Sequence, residues 1–161
     1  MIGILDDTDK EVLVATHSED IDGIVSAALI LRVYPSARII FARPSEILKM
    51  NHCFHYVLDL PKPRNCWANI DHHRSNYETL VRQKRLTEHD LVDPMAPSAA
   101  QLVAQYFNLS DKVSQELVRL ANRADRGEVD RDILVLDLLI KSNISNQDKL
   151  LWIAKKLSIF S

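Results

Sequence analysis

Four short apolar runs punctuate the first 71 residues: EVLVAT (11–16), ARIIFA (37–42), HYVLDL (55–60) and CWANID (66–71). Runs of this length bounded by polar or proline-containing stretches read as buried strands. The first is followed at once by HSEDIDG, the third contains Asp59 at its end, and the fourth runs straight into Asp71-His72-His73. Between the first two lies IVSAALILRVY (24–34), an apolar-striped helical segment ended by Pro35 and Ser36. Strands alternating with helices predict an α/β fold: a mostly parallel open sheet with helices on both faces. A short helix fits around Ser45–Lys49, and Pro61 and Pro63 stop the third strand.

After Pro97 the pattern turns helical. SAAQLVAQYFN (98–108) has Ser98 as its cap, and a second helix over 111–124 starts near Ser110 or Asp111 and is broken by Gly127. Segments 130–141 and 146–158 read as two more helices. Their apolar stripes, such as Ile133 to Leu139 and Leu150 to Leu157, require a partner surface. The charged stretch 76–92 carries Arg82, Lys84 and Arg85 and has no clear period; it reads as solvated surface, with a substrate-facing basic patch as the sharper alternative. No repeat or linker divides the chain. The expectation is one domain over 1–161, with its chemistry within 12–127 and a helical tail over 128–161.

Composition sets outer limits. At 161 residues, with 47% apolar and 26% charged side chains, the chain is ordinary for a globular domain. A formal charge of −2 provides no global field to attract nucleic acid, so such binding would need a local patch. Two cysteines form no disulfide framework. The N-terminus MIGILDDTDKEV has no signal-type apolar core, and no run approaches the roughly 20 residues of a membrane span. The expectation is a cytoplasmic protein with no membrane partner.

The acids and histidines cluster where strands end. His17, Glu19, Asp20, Asp22 and Gly23 lie between the first strand and the first helix; Asp59 ends the third strand; Asp71, His72 and His73 end the fourth; and Asp125 lies in the ADRG turn. In an open α/β sheet, ligands bind at the carboxyl ends of strands. So many carboxylates in one place repel each other unless a cation neutralises them. His17, Asp20, Asp22, Asp59, His72 and Asp125 supply two imidazoles and four carboxylates. That donor set suits manganese, or magnesium or cobalt, better than a structural zinc. With one bridging carboxylate it could hold two ions about 3.5–4 Å apart and so generate hydroxide and clamp a phosphoryl group. The remaining candidates read as structural. The HCFH stretch at 52–55 fits no standard zinc spacing, Cys53 is expected to be a small buried residue and His55 to be structural, and His89 is expected to face solvent. Trp67 and Trp152 are expected to pack, and Asp130 and Asp132 to cap the helix that follows them.

In this order, THSEDIDGIVSAAL (16–29), YVLDL (56–60), IDHHR (70–74) and RADRG (123–127) resemble the motifs of the DHH phosphoesterase superfamily; PMAPSAAQLV (94–103) resembles a stretch these proteins often carry. The superfamily includes RecJ-type single-strand exonucleases, nano-RNases that also act on phosphoadenosine phosphate, cyclic-dinucleotide phosphodiesterases and manganese pyrophosphatases. The resemblance implies that His17 and Asp20 hold one manganese ion, that Asp22, His72 and Asp125 hold the other, and that Asp59 bridges them. It implies that His73 contacts the scissile phosphate and that Asp71 supports the histidines; Arg74, adjacent to them, would add a charge-assisted phosphate contact. Ser26 would only cap or pack. The implied activity is two-metal hydrolysis of phosphodiester or phosphomonoester bonds in a nucleotide or short single-stranded oligonucleotide. The alternative is a non-catalytic DHH-fold module that binds single-stranded nucleic acid or a partner protein. Active members carry a further domain that grips the substrate, whereas 36 residues follow Asp125 here (161 − 125). The expectation is therefore a piece of a longer protein, a minimal protein or half of an assembly, with the C-terminal helices available to form a homodimer or to dock a partner chain.

Overall fold

A computed structural model describes residues 11–159; the acid-rich start of the N-terminus lies outside them. Five strands, β1 (Leu13–His17), β2 (Arg38–Ala42), β3 (Phe54–Leu58), β4 (Cys66–Asp71) and β5 (Leu91–Val92), form one parallel sheet in the order β2-β1-β3-β4-β5. Thr16 lies opposite both Phe41 and Leu58, and Leu58 opposite Ile70. Seven helices accompany the sheet: α1 (Ile21–Val33), α2 (Pro44–Ile47), α3 (Arg74–Arg82), α4 (Ala99–Tyr106), α5 (Lys112–Asp125), α6 (Arg131–Lys141) and α7 (Gln147–Ser158). This is the α/β architecture that the alternating pattern predicts.

Side chains alternate across the sheet as strand geometry requires. Val14, Phe41, Tyr56, Leu58 and Ile70 enter the large core beneath α1, α4, α5 and α7. Ala15, Ala42 and Val57 face the other way, into a small cluster closed by Ile47 of α2 and by Leu60. Helix α1 is buried from Ile21 to Leu31 because it lies between the sheet and the other helices, which is why it is apolar nearly all round. Its last turn is anchored by Arg32, which donates to the Asp111 carboxylate (2.5 Å), to Ser114 Oγ (3.1 Å) and to the Ser158 carbonyl (2.7 Å).

Several sequence readings require correction. Helix α1 begins at Ile21 rather than at 24, because the Asp20 side chain accepts the Gly23 N–H at 2.8 Å and caps the earlier turn. The 76–92 stretch is not featureless: it contains most of α3, and then β5. Only Asn76 and Leu80 of α3 are buried, so the helix carries almost no apolar stripe for sequence reading to find. Cys53 is exposed, in the stretch before β3, and is not a core residue. Trp67 and Trp152 are half exposed. Trp67 stacks on His89 with ring centroids 4.3 Å apart, so His89 is not simply solvated. Asp130 does cap α6, accepting the Ile133 N–H at 2.9 Å.

Parallel neighbours are normally joined by a crossover of a dozen or more residues. Here β3 returns to β4 through the short segment 59–65, which begins with Asp59 in the left-handed region (φ 56°). Lys62 in this return is buried, and its ammonium donates to the buried Asp90 carboxylate (2.7 Å) and to the Arg85 carbonyl (3.1 Å). Asp90 also accepts from the backbone N–H groups of Asn69 and Thr87. Removing one partner of such a pair strands the other as a buried charge. Lys62→Met should therefore lower unfolding free energy by about 3–5 kcal/mol, read from the denaturant midpoint. Lys141→Ala, which removes the exposed Lys141–Asp137 pair (2.9 Å), should leave that midpoint essentially unchanged.

Candidate metal centre

The strand order changes direction between β1 and β3: α1 carries the chain from β1 to β2 on one side, and β3 leads to β4 and β5 on the other. Such a switch point opens a crevice at the carboxyl ends of the strands. His17 ends β1, Asp59 follows β3, and Asp71 ends β4 with His72 and His73 next in the chain. Asp20 and Asp22 stand on the β1–α1 turn. That turn is tight: a Cβ on Gly23 would lie 2.1 Å from the His17 carbonyl oxygen, and Thr16 Oγ1 donates to the Gly23 carbonyl at 2.7 Å. Glycine is required there by the close approach of helix to strand. Asp125 is the last residue of α5 rather than part of the turn after it.

All six expected ligands converge. His17 Nδ1 lies 3.2 Å from Asp20 Oδ2 and 3.5 Å from Asp59 Oδ2. His72 Nε2 lies 3.3 Å from Asp22 Oδ2, 3.4 Å from Asp125 Oδ2 and 3.6 Å from Asp59 Oδ1. Asp59 thus presents one oxygen to each histidine. It is 1% exposed, and neither oxygen accepts a hydrogen bond from the described residues; His17 Nδ1 is also buried without one. A buried carboxylate with no donor is costly, and a cation is the ordinary remedy. Three sets could each hold a metal ion, their donor atoms lying within 4.8 Å of one another: His17, Asp20 and Asp59; Asp22, His72 and Asp125; and Asp59, His72 and His73.

The surroundings orient these groups. Both Asp22 oxygens accept N–H groups from the start of α4, those of Ala99 and Ala100, at 2.9 Å. His72 Nδ1 lies 3.4 Å from the Ala96 carbonyl, leaving Nε2 for the carboxylates. The buried Asp71 carboxylate meets His73 Nδ1 at 2.7 Å. Arg74 opens α3, is exposed, and makes no ion pair among the described residues. Ser26 is buried with an unpartnered hydroxyl and only packs. Glu19, outside the expected ligand set, has its carboxylate 3.6 Å from His17 Nε2 and 3.9 Å from Arg43 Nε. Asn69 and Asn76 also border the site; uncharged and scattered along the chain, they carry no signal in the sequence.

Protonation is shifted throughout. Burial pulls His17 down, but Asp20 and Asp59 outweigh it and push the ring up to about 11. The same contest at His72, against Asp22 and Asp59, also ends at about 11. The hydrogen bond to Asp71 raises His73 to about 9. Burial and the neighbouring Asp22 lift Asp125 to about 6. Burial, with Asp22 and Asp20 beside it, raises Asp59 well above the ordinary carboxylate range. Burial opposes ionisation of Asp20 too, but there the His17 contact wins and holds it low. A cluster this rich in carboxylates retains protons where a cation would otherwise sit.

No family model matches the chain, and no curated protein matches it. Among solved structures, the fold is similar to a pGpG-specific phosphodiesterase, PggH, from Vibrio cholerae (TM-score 0.70, 20% identity). The similarity covers 94% of this chain and 54% of that one, so the chain spans about half the length of the neighbour. It establishes the fold alone: an open parallel α/β sheet.

Gly23→Ala should shift the His17 backbone and weaken divalent-metal binding by at least about tenfold, measured by titration against a thermal-unfolding control. His17, His72 and His73 bind protons more tightly folded than unfolded, so between pH 6.5 and 9 the folded state carries more protons. Stability then falls as pH rises through that range. The metal-free protein should lose thermal stability from pH 6.5 to 9, measured by thermal unfolding across that range.

Proposed function

We propose that the protein is a metal-dependent phosphoesterase that hydrolyses phosphoester bonds of a nucleotide or short single-stranded oligonucleotide by a two-metal mechanism. The observation that carries this reading is the Asp59 carboxylate, buried and without hydrogen-bond donors, with one oxygen facing each histidine-carboxylate set. Under this reading His17, Asp20 and Asp59 hold one ion, and Asp22, His72 and Asp125 hold the second with Asp59 shared. Four carboxylates and two imidazoles favour manganese, with magnesium or cobalt as substitutes. Bound ions of this kind lower the pKa of water and neutralise charge on a phosphoryl group.

The chain's own groups then have separate tasks. Asp71 fixes His73 through Nδ1, which leaves Nε2 to contact a phosphate oxygen at the mouth of the site. The exposed Arg74 guanidinium stands next to it and supplies a second, charge-assisted contact. A cavity of about 240 Å³ opens beside Asp20, Asp22 and Asp125, bordered by Val129, Leu134 and Lys141. This is smaller than the roughly 300–1,000 Å³ typical of a ligand pocket, so it suits a phosphate and its sugar, with the remainder of the substrate on the open surface. The neighbour's substrate, pGpG, is a linear dinucleotide of this kind. It is the first substrate to try.

The test is hydrolysis of pGpG and of short 5′-phosphorylated single strands with manganese, magnesium, cobalt or chelator. Manganese-dependent release of mononucleotide is expected. Asp59→Asn should reduce the rate by more than the roughly 10–100-fold that follows loss of an outer partner of a metal ligand, and Asp20→Ala with Asp22→Ala should abolish metal binding. Retained metal affinity in that double variant would overturn the site assignment. Metal binding and nucleotide binding without turnover would instead identify a binding module.

A further inference from the structure

Behind the proposed ligands lies a layer of buried carboxamides. Asn69, on β4, is fully buried, and its Nδ2 donates to two backbone carbonyls, Val57 and Leu60, each at 3.0 Å. Those carbonyls lie on either side of Asp59 in the chain, so Asn69 spans the left-handed turn that aims the Asp59 carboxylate into the site. Asn76, on α3 and 6% exposed, donates through Nδ2 to Asn69 Oδ1 (2.8 Å) and to Asp71 Oδ2 (2.9 Å). Its own Oδ1 accepts the Lys62 N–H at 3.3 Å, on the return that follows Asp59. The other oxygen of Asp71 faces His73 Nδ1 at 2.7 Å. The backbone of Asn69 is pinned in turn by the buried Asp90 carboxylate (2.8 Å).

We infer that Asn69 and Asn76 are a pair of positioning residues: Asn69 holds the turn that aims Asp59, and Asn76 locks the Asp71–His73 pair to it. The inference rests on reading the site as a metal-dependent phosphoesterase. The two amides act on different parts of the site. Asn76 uses one amide donor on the oxygen of Asp71 that His73 does not use, so the carboxylate cannot rotate away from the ring. Asn69 touches neither histidine; apart from accepting from Asn76, its side chain constrains the Asp59 turn. A full complement of buried hydrogen bonds makes such a network rigid, and removing one member leaves others unsatisfied. The predicted signatures are therefore separable: losing Asn76 frees the His73 ring, and losing Asn69 loosens a metal ligand.

The experiment compares the full chain with Asn76→Ala, Asn76→Asp and Asn69→Ala. It reads kcat and KM on pGpG, manganese affinity by titration, and the slowly exchanging His73 Nδ1 proton by NMR of the metal-free protein. Asn76→Ala should lower kcat by about 10–100-fold, leave KM and manganese affinity within about twofold, and abolish the protected His73 proton. Asn76→Asp keeps the side-chain shape but exchanges the amide donor for a carboxyl group; it should show the same pattern and serves if the alanine variant fails to fold. Asn69→Ala should weaken manganese binding by about tenfold or more while retaining the His73 proton. Unchanged kcat and an unchanged His73 resonance on replacing Asn76 would overturn the proposal. So would equal loss of every readout in both alanine variants, which would mark the pair as merely structural. If wild type cleaves no phosphoester, the phosphoesterase reading fails, while manganese affinity and the His73 proton still decide whether the pair positions these groups.

Discussion

The Asp59 carboxylate is the constraint around which the rest of the molecule is arranged. It is buried beside Asp20 and Asp22, accepts no hydrogen bond from the described residues, and sits on a residue in the left-handed region. Each of these is unfavourable alone: desolvation of a charge, repulsion from like charges, and backbone strain. Their coincidence at one residue is the mark of a site that the surrounding structure over-determines. The sheet accounts for the strain. Strand β3 must reverse at once to return beneath the sheet to β4, and the reversal falls on the residue whose side chain then points to the crevice at the switch point.

The helical half of the chain is part of the same construction. Asp22 lies in the first turn of α1, but both of its oxygens accept N–H groups at the start of α4, more than 70 residues away. The unsatisfied N–H groups and positive end of a helix favour a carboxylate there. Asp22 thereby joins the sheet half to the helical half while still presenting Oδ2 to His72 at 3.3 Å. Helix α5 adds Asp125 from its last turn, immediately before Gly127 turns the chain with φ 78°. Helices α4 and α5 therefore complete the acidic cluster, and the packing of α1 against both fixes the spacing between the two sets of donors.

What the sequence made legible follows from how strongly each element depends on local pattern. Strands β1 to β4 are short, apolar and bounded, and the acids and histidines that follow three of them are chemically conspicuous, so the fold class and the six converging side chains could be read directly. Helix α3 and β5 could not. The helix RSNYETLVR buries only Asn76 and Leu80, and β5 is two residues long; both exist because β4 offers an unpaired edge and the core needs Leu80, which are tertiary facts. Cys53 was misjudged because cysteine is commonly buried, whereas its place before β3 leaves it outside. The asparagines escaped notice for a different reason. An amide announces itself only by what it bonds, and Asn69 and Asn76 acquire meaning only when β3, β4 and α3 are assembled.

The proton load on the cluster connects its architecture to how it would be filled. Small zinc domains commonly stay unfolded until metal arrives, because the binding free energy supplies their folding free energy. Here His17 and His72, whose rings Asp20, Asp22 and Asp59 hold protonated, set positive charge against the carboxylates. On the proposed reading, a divalent ion entering the site would displace protons from His17 and His72 and from the raised carboxylates Asp59 and Asp125. Such an exchange requires a frame that does not relax when the protons leave. Asp22 is held by the N-terminus of α4, Asp71 by Asn76, and the turn at Asp59 by Asn69. The donors that hold this frame are neutral amides one layer behind the charges.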